Sequence, residues 1–338
     1  MTTHMYREIH EIPAVAARFL AAQQDNLRQT AEMLRKAQPT HLVTVARGSS
    51  DHAATFIKYV CELVLGLPVA SVGPSVVSVY DRPISTRGGA CLAFSQSGKS
   101  PDIVALAAHF ATEGAPLAVL TNNPASPLAA LTAHVIALEA GPELSVAATK
   151  SFVATVVAGL ALLAEWSGDV GLTAGLAALP GHLEQALKID LSAVYPALET
   201  RGPVLIFGRG AGLAIAHETA LKLKETCGLQ AEAYSSAELR HGPIEMVDNR
   251  FTAIGLIQDG PSRAGVLETA EALRAQGARV FLMSSDPSDD LGSVDTGSPF
   301  TASLCQIVSL YLMIENLSHR LGRNPDQPKA LRKVTETV

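Results

Sequence analysis

The sequence predicts an α/β protein built from two parallel β-sheets with helices on both faces. Apolar strand-like runs alternate with helical patterns through both halves of the 338-residue chain, and alternating βαβ units form parallel sheets. Two of the apolar runs end in the same way, in Arg-Gly followed by small residues, at Arg47-Gly48 and at Arg209-Gly210. A helical pattern follows each of them. This internal repeat indicates duplication of one unit, and the length suffices for two domains of ordinary size.

The individual elements follow in order from these patterns. Strand-like runs lie at 41–46, 90–94, 117–120 and 135–138 in the first half, and at 203–208, 252–257 and 280–283 in the second. Helical patterns separate them, which is typical of a doubly covered sheet. We predict an N-terminal helical segment (1–36), a first domain (37–170), a helical connector (171–195), a second domain (196–322) and a polar C-terminal tail (323–338).

Composition excludes several classes of function. Hydrophobic residues make up 48% and charged residues 17% of the chain, which is typical of a well-buried enzyme and argues against disorder. The net charge is −6, so a nucleic-acid-binding surface is not expected. An anionic substrate would therefore be held by local dipoles and a few cations.

The cysteines and the N-terminal sequence predict a cytoplasmic protein. The four cysteines are scattered without metal or redox spacing, and we interpret them as reduced core residues. The first residues carry no apolar core of a signal peptide. The longest uncharged apolar run, Phe152 to Leu163, favours a buried helix over a membrane span. We expect no membrane partner.

Residues 90–100 predict an anion site. A strand-like run ends in Ser-Gln-Ser-Gly-Lys-Ser immediately before a helical pattern. Backbone N–H groups and the helix dipole favour an anion there, and Ser95, Ser97 and Ser100 add hydroxyl donors for a phosphate ester. A nucleotide P-loop is excluded because it requires glycine where this chain has Ala93. An ordinary Ser-capped helix is the alternative.

A second group of polar residues lies in the second half. Glu218, Lys222 and Glu225 are spaced i, i+4, i+7 and share one face of a predicted helix. This face is either a solvated charged surface with a stabilising Glu–Lys pair or the wall of a cleft that carries a general base. His241 follows at a chain reversal closed by Gly-Pro, where it is either a surface residue or a catalytic group.

These motifs together resemble the sugar isomerase (SIS) family, in collinear order over essentially the whole chain. The pattern is most similar to the isomerase half of the glucosamine-6-phosphate synthases. The resemblance implies two tandem SIS domains, each a five-stranded parallel sheet flanked by helices, followed by an active-site tail. The matching motifs are at 7–13, 95–100, 145–150, 220–225, 231–234, 238–243, 326–329 and 333–335.

The resemblance also implies roles for individual residues. Ser50, Ser95, Gln96, Ser97 and Ser100 match positions that hold the sugar phosphate, and Val146 and Ala148 match positions that line the sugar. Glu225 matches the base that moves a proton between C1 and C2, and Lys222 matches a lysine near the reacting oxygens. His241 matches the group that opens the sugar ring, supplied across a homodimer interface. Lys333 matches a tail lysine that forms a Schiff base with the open-chain ketose.

The implied activity is aminosugar-phosphate chemistry without a cofactor or metal. The sequence begins at the isomerase half, so we expect the ammonia-releasing direction of SIS-type glucosamine-6-phosphate deaminases. Deglycation of a fructosamine 6-phosphate, isomerisation of another hexose phosphate, and non-catalytic sensing of a sugar phosphate are the alternatives. Ala148, Lys99 and Arg332 replace serine, glutamate and alanine of the synthases, which leaves the exact substrate open.

Overall fold

The computed structural model describes residues 2–331 and 333. Within this range the chain forms two parallel five-stranded sheets flanked by helices, which confirms the predicted fold class. Arg332 and residues 334–338, which include the predicted tail positions Val334 and Thr335, lie outside the described residues.

The elements alternate along the chain as the sequence predicts. The helices are α1 (His4–Ala22), α2 (Gln24–Ala37), α3 (Ser49–Val64), α4 (Ser75–Ser78), α5 (Pro101–Thr112), α6 (Lys150–Ser167), α7 (Val170–Ala186), α8 (Tyr195–Leu198), α9 (Ala211–Lys222), α10 (Ser236–Leu239), α11 (Arg263–Ala275) and α12 (Pro299–Arg320). The strands are β1 (His41–Val45), β2 (Val69–Ser71), β3 (Gly89–Ser95), β4 (Leu117–Thr121), β5 (Val135–Ala137), β6 (Val204–Gly208), β7 (Ala231–Ser235), β8 (Thr252–Leu256), β9 (Arg279–Ser284) and β10 (Leu291–Gly292).

The first sheet has the strand order β2-β1-β3-β4-β5, and all its pairings are parallel. The chain moves from β1 outward to β2, then returns to place β3 on the other side of β1. The order therefore reverses between β1 and β3, and ligands of open α/β sheets bind beyond the carboxyl ends of the strands at such a point. Pairing of Val45 with Ala93 sets these two strand ends side by side.

The second sheet repeats this topology with the order β7-β6-β8-β9-β10. Pairing of Leu42 with Ala90 in the first sheet corresponds to pairing of Val204 with Thr252 in the second. The predicted duplication is therefore visible in strand order and in register. When β3 is aligned with β8 in this register, the residues that follow the two strands also correspond. Gln96 aligns with Gln258, Ser97 with Asp259, Gly98 with Gly260 and Ser100 with Ser262.

Contacts divide the described residues into two units. The first unit comprises residues 14–143 and 150–177, and the second comprises residues 2–13, 144–149, 178–331 and 333. The start of α1 and a short segment before α6 thus belong to the unit of the second sheet. Each unit has its own buried apolar cluster, which packs β1, β3, β4 and α5 in the first and β6, β8, β9 and α11 in the second.

Two long apolar helices, α6 and α12, lie mostly in the interior of the structure. Among the described residues, α6 and α12 are long and apolar enough to cross a membrane, but 89% and 78% of their apolar windows are buried inside the structure. The predicted burial of the stretch from Phe152 to Leu163 within α6 is confirmed.

All four cysteines are free and buried. Burial raises the pKa of the Cys227 thiol to about 11 and those of Cys61 and Cys305 to about 12, and it raises the pKa of Cys91 as well. A thiol that stays protonated is a poor nucleophile. The cysteines therefore act as small apolar core residues.

Candidate active site

The predicted phosphate loop lies where the strand order of the first sheet reverses. Ser50 is in the first turn of α3, which follows β1, and residues 96–100 connect β3 to the N-terminus of α5. Both helix N-termini present backbone N–H groups and positive dipole ends to the same sheet edge. All five predicted phosphate residues are thus part of the first unit and lie at its strand-order reversal.

Hydrogen bonds inside the loop leave hydroxyl protons available. Ser95 Oγ accepts from the Gly98 N–H at 3.1 Å, and Ser97 Oγ accepts from the Lys99 N–H at 3.3 Å. A hydroxyl that accepts still has its proton to donate, and an anion is a suitable acceptor. Ser100 occupies the N-cap position of α5, and within the described residues its hydroxyl makes no capping hydrogen bond.

Gly98 is required by the shape of this loop. Its φ is +64°, a region that disfavours residues with a side chain. A Cβ at this position would lie 2.1 Å from Ser126 Oγ and 2.5 Å from Ser126 Cβ. The loop can therefore follow its path only with glycine here.

Arg47, in the sequence only part of the Arg-Gly repeat, places a positive charge at the end of β1. Its Nε lies 2.9 Å from Oδ2 of Asp102, which is 1% exposed in the first turn of α5. The Arg47 side chain is 52% exposed. The pairing holds a guanidinium beside the strand-order reversal, and the Arg-Gly at the end of an apolar run was the signal that could have indicated it.

The charged group of the second unit is buried. Lys222 Nζ lies 3.4 Å from Glu218 Oε1 and 2.5 Å from Glu225 Oε2, and the Tyr311 hydroxyl of α12 donates to Glu218 Oε1 at 3.0 Å. The side chains of Glu218, Lys222 and Glu225 are 0%, 1% and 20% exposed. Glu225 is thus the member of the three that reaches solvent.

The predicted alternative of a solvated charged face is therefore wrong for Glu218 and Lys222. The side chains satisfy one another and α12 covers them, so the charges tolerate burial. The helix also departs from the predicted α geometry, because residues Leu223–Cys227 form a π-helical turn after α9. Such turns occur frequently at functional sites.

Burial and charge act in opposite directions on Lys222. Burial lowers the pKa of its amine, but attraction to Glu218 and Glu225 outweighs burial and holds the pKa above its ordinary value. Lys222 therefore remains an ammonium at neutral pH. It can stabilise negative charge but cannot accept a proton.

His241 lies in an exposed turn that follows α10. Its backbone N–H donates to Glu238 O at 2.9 Å. His241 is exposed, so its imidazole is accessible from solvent.

The predicted sugar-lining residues and the tail lysine meet in the second unit. Val146 and Ala148 are half-buried in the segment 144–149, between the buried Ser145, Ala147 and Thr149. Lys333 Nζ donates to Ser145 O at 2.6 Å. Lys222, Glu225 and His241 are also part of this unit, whereas the phosphate loop belongs to the first. Among residues 2–331 and 333, no group of three or more His, Cys, Asp or Glu side chains could hold a metal ion.

Comparisons with known proteins agree on one family. The SIS domain model matches residues 33–165 and 198–295. The isomerising glutamine–fructose-6-phosphate aminotransferase of Zymomonas mobilis is 30% identical over 97% of this chain. This chain spans only 58% of that relative's length.

Two solved structures are similar over nearly the whole chain. A protein of Silicibacter pomeroyi DSS-3, provisionally assigned as a phosphosugar isomerase, has a TM-score of 0.91 and 46% identity, covering 96% of this chain and 100% of that one. The C-terminal domain of glucosamine-fructose-6-phosphate aminotransferase from Francisella tularensis has a TM-score of 0.84 and 26% identity, covering 97% of this chain and 98% of that one.

Proposed function

The chain belongs to the SIS domain family, as its motifs predicted, and from this premise we propose that it is a sugar-phosphate enzyme of the isomerase type. In its specific form, the proposal is that the enzyme converts glucosamine 6-phosphate and water to fructose 6-phosphate and ammonia. The similarity to aminotransferases and to a phosphosugar isomerase supports the class of substrate.

The pairing of buried Lys222 with partly exposed Glu225 is the observation that carries the proposal. Moving a proton from C2 to C1 of an open-chain aminosugar builds negative charge in an enolamine. A fixed ammonium stabilises such charge without reorganisation, and Lys222 is held protonated by its two carboxylates. Glu225, 2.5 Å away and partly exposed, is a carboxylate suited to remove and return the proton.

The remaining residues supply binding, ring opening and imine chemistry. The loop at residues 95–100 and Ser50 bind the phosphate with hydroxyl and backbone donors. His241 moves the ring proton, because an imidazole ring can both accept and donate a proton. After the proton reaches C1, the C2 ketimine adds water and releases ammonia, or it first exchanges its nitrogen for the amine of Lys333. In this scheme His241 is supplied by the second copy of a homodimer.

An ammonia-release assay tests the proposal. Glucosamine 6-phosphate, fructosamine 6-phosphate and unphosphorylated glucosamine are offered to the wild type and to Glu225→Gln. We expect ammonia and fructose 6-phosphate from the first substrate alone, and almost none from the variant. Turnover restricted to the fructosamine phosphate would replace the proposal with a deglycase. Tight binding of sugar phosphates without turnover would replace it with a sensor.

A further inference from the structure

The start of α1 holds the C-terminal tail. Both oxygens of the Asp326 carboxylate accept from the first turn of this helix, from the His4 N–H at 2.6 Å and the Met5 N–H at 2.9 Å. Asp326 thereby caps a helix more than three hundred residues away in sequence. This contact fixes the tail seven residues before Lys333.

The same helix holds the segment that contains the predicted sugar-lining residues. Glu8 is 4% exposed, and its Oε1 accepts from the Leu144 N–H in a short hydrogen bond. The Ser145 N–H lies 3.3 Å from each of the two Glu8 carboxylate oxygens. A buried carboxylate that receives two backbone donors fixes the path of the backbone that supplies them.

Lys333 contacts this segment at Ser145, the residue whose backbone N–H points to Glu8. The Lys333 amine donates to the carbonyl of Ser145, whose own N–H points to Glu8. His4 and Glu8 are one helical turn apart, which is about 6 Å along the axis. The helix therefore fixes the tail and the segment 144–149 at two adjacent points, and Lys333 lies where they meet.

We propose that Glu8 is a positioning residue that sets the orientation of the Lys333 amine through the backbone of Ser145. It touches no reacting atom itself. The catalytic consequence rests on the proposed function, because only there does Lys333 act on a substrate carbon. The structural consequence is independent of the proposed function. Without Glu8, the N–H groups of Leu144 and Ser145 lose its carboxylate as an acceptor. The Ser145 carbonyl then no longer holds the Lys333 amine in one place.

The test compares Glu8→Ala and Glu8→Gln with Glu32→Ala, a change at an exposed glutamate of α2. Two readouts need no substrate. Hydrogen exchange reports the protection of the amides of Leu144 and Ser145. Acylation by succinimidyl acetate, followed by peptide mass spectrometry, gives the labelling rate of Lys333 relative to Lys329, an exposed lysine of the same tail. The ratio corrects for differences in reagent concentration and reaction time, and the labelling is carried out well below the Tm of each variant.

In Glu8→Ala we expect faster exchange at both amides and a Lys333-to-Lys329 labelling ratio several-fold above wild type. Ammonia release should fall about tenfold or more in kcat, because misplaced catalytic groups lose rate steeply. Glu8→Gln should be intermediate, since its carbonyl oxygen still accepts, and it carries the test if Glu8→Ala does not fold. Glu32→Ala should match wild type throughout.

The proposal is overturned if the folded Glu8 variants keep the wild-type labelling ratio and amide protection. A wild type that releases no ammonia contradicts the proposed function instead, and the two substrate-free readouts still decide the role of Glu8. Changed labelling with unchanged kcat would support the positioning of the Lys333 amine by Glu8 and would overturn its catalytic consequence.

Discussion

Lys222 Nζ lies 2.5 Å from Oε2 of Glu225, in the π-helical turn that follows it, and 3.4 Å from Oε1 of Glu218. Two carboxylates share one buried cation, so the group carries one net negative charge. The deeper carboxylate, Glu218, is also satisfied by Tyr311. Glu225 is the more exposed of the two carboxylates, and in the proposed function it is the one that exchanges protons with the ligand.

Replacing that carboxylate should remove proton transfer and preserve binding. Glu225→Gln keeps the size of the side chain and a hydrogen-bonding oxygen, so kcat should fall about 10²-fold or more with little change in substrate affinity. Steady-state kinetics with glucosamine 6-phosphate measure both. Glu232→Gln, at a half-exposed glutamate of β7, is the matched control and should be nearly silent. Near wild-type turnover in Glu225→Gln would contradict the assigned role.

The phosphate loop should not tolerate a side chain at Gly98. Gly98→Ala adds a positive-φ penalty of about 1 kcal/mol and a clash with Ser126. Gly114→Ala is the control, since Gly114 has a φ of +72° at the other end of α5 but faces open space among the described residues. Both should lower the Tm, but only Gly98→Ala should weaken inorganic phosphate binding, by about tenfold, in isothermal titration. Equal phosphate affinity in the two variants would argue that the loop does not bind phosphate.

Replacing Lys333 should impair catalysis, whereas replacing Lys329 in the same tail should not. Lys333→Ala should lower kcat and abolish any sugar adduct trapped by borohydride, because an imine can form only on an amine near the carbonyl carbon. Lys329→Ala should retain both. Mass spectrometry of the trapped protein locates the adduct. An active Lys333→Ala enzyme, together with a wild type that traps no adduct, would eliminate the covalent role.

The exposed His241 gives a test of assembly. If it completes a neighbouring subunit's site, mixing inactive His241→Ala with inactive Glu225→Gln should restore activity, because a mixed dimer rebuilds one intact site. Random mixing would recover about a quarter of wild-type activity if sites act independently. Subunit exchange is verified by native mass spectrometry. No recovery after confirmed exchange would place both residues in the same subunit's site.

Asp51, beside Ser50 in the first turn of α3, should make stability depend on pH. Burial raises the pKa of its carboxyl above 3.8, against opposing effects of His52 and Arg47. A carboxyl with a raised folded-state pKa contributes its full stability below the unfolded pKa and loses it as pH rises. Asp51→Asn should therefore raise the Tm at pH 7 and have little effect near pH 3.5, in calorimetry. Asp25→Asn, at an exposed residue of α2, is the control. A Tm difference that does not change with pH would contradict the expectation.

Among the described residues, the sequence predicted the central strands and the edge strand β5 but missed the other three edge strands. Continuous apolar runs predicted β3, β4 and β8 within one or two residues, because strands covered on both faces must be apolar throughout. The short edge strands β2, β7 and β10 were not found individually. In β7 the exposed Glu232 and half-buried Tyr234 interrupt any apolar run, since an edge strand is only partly covered.

The sequence motifs identified residues of the candidate site, but they did not predict the burial of those residues or their backbone partners. Helical spacing placed Glu218, Lys222 and Glu225 on one face, which is correct, yet it could not show that α12 buries two of them. The π turn was missed because nothing in the residues Leu223–Cys227 distinguishes it from an α-helix. Glu8 was missed because its partners, the backbone amides of Leu144 and Ser145, leave no mark on the sequence.

The duplicated sheets also bear on how the two halves of such a chain can diverge. The loops after β3 and β8 share the glutamine, glycine and serine, but Asp259 stands in the second half where Ser97 stands in the first. A carboxylate repels a phosphate dianion, whereas a hydroxyl attracts it. If the first loop holds the sugar phosphate as proposed, the second is unsuited to the same role, because Asp259 and Pro261 stand where the first has Ser97 and Lys99. On that proposal only the first loop must preserve phosphate contacts, and substitutions in the second loop do not cost phosphate affinity.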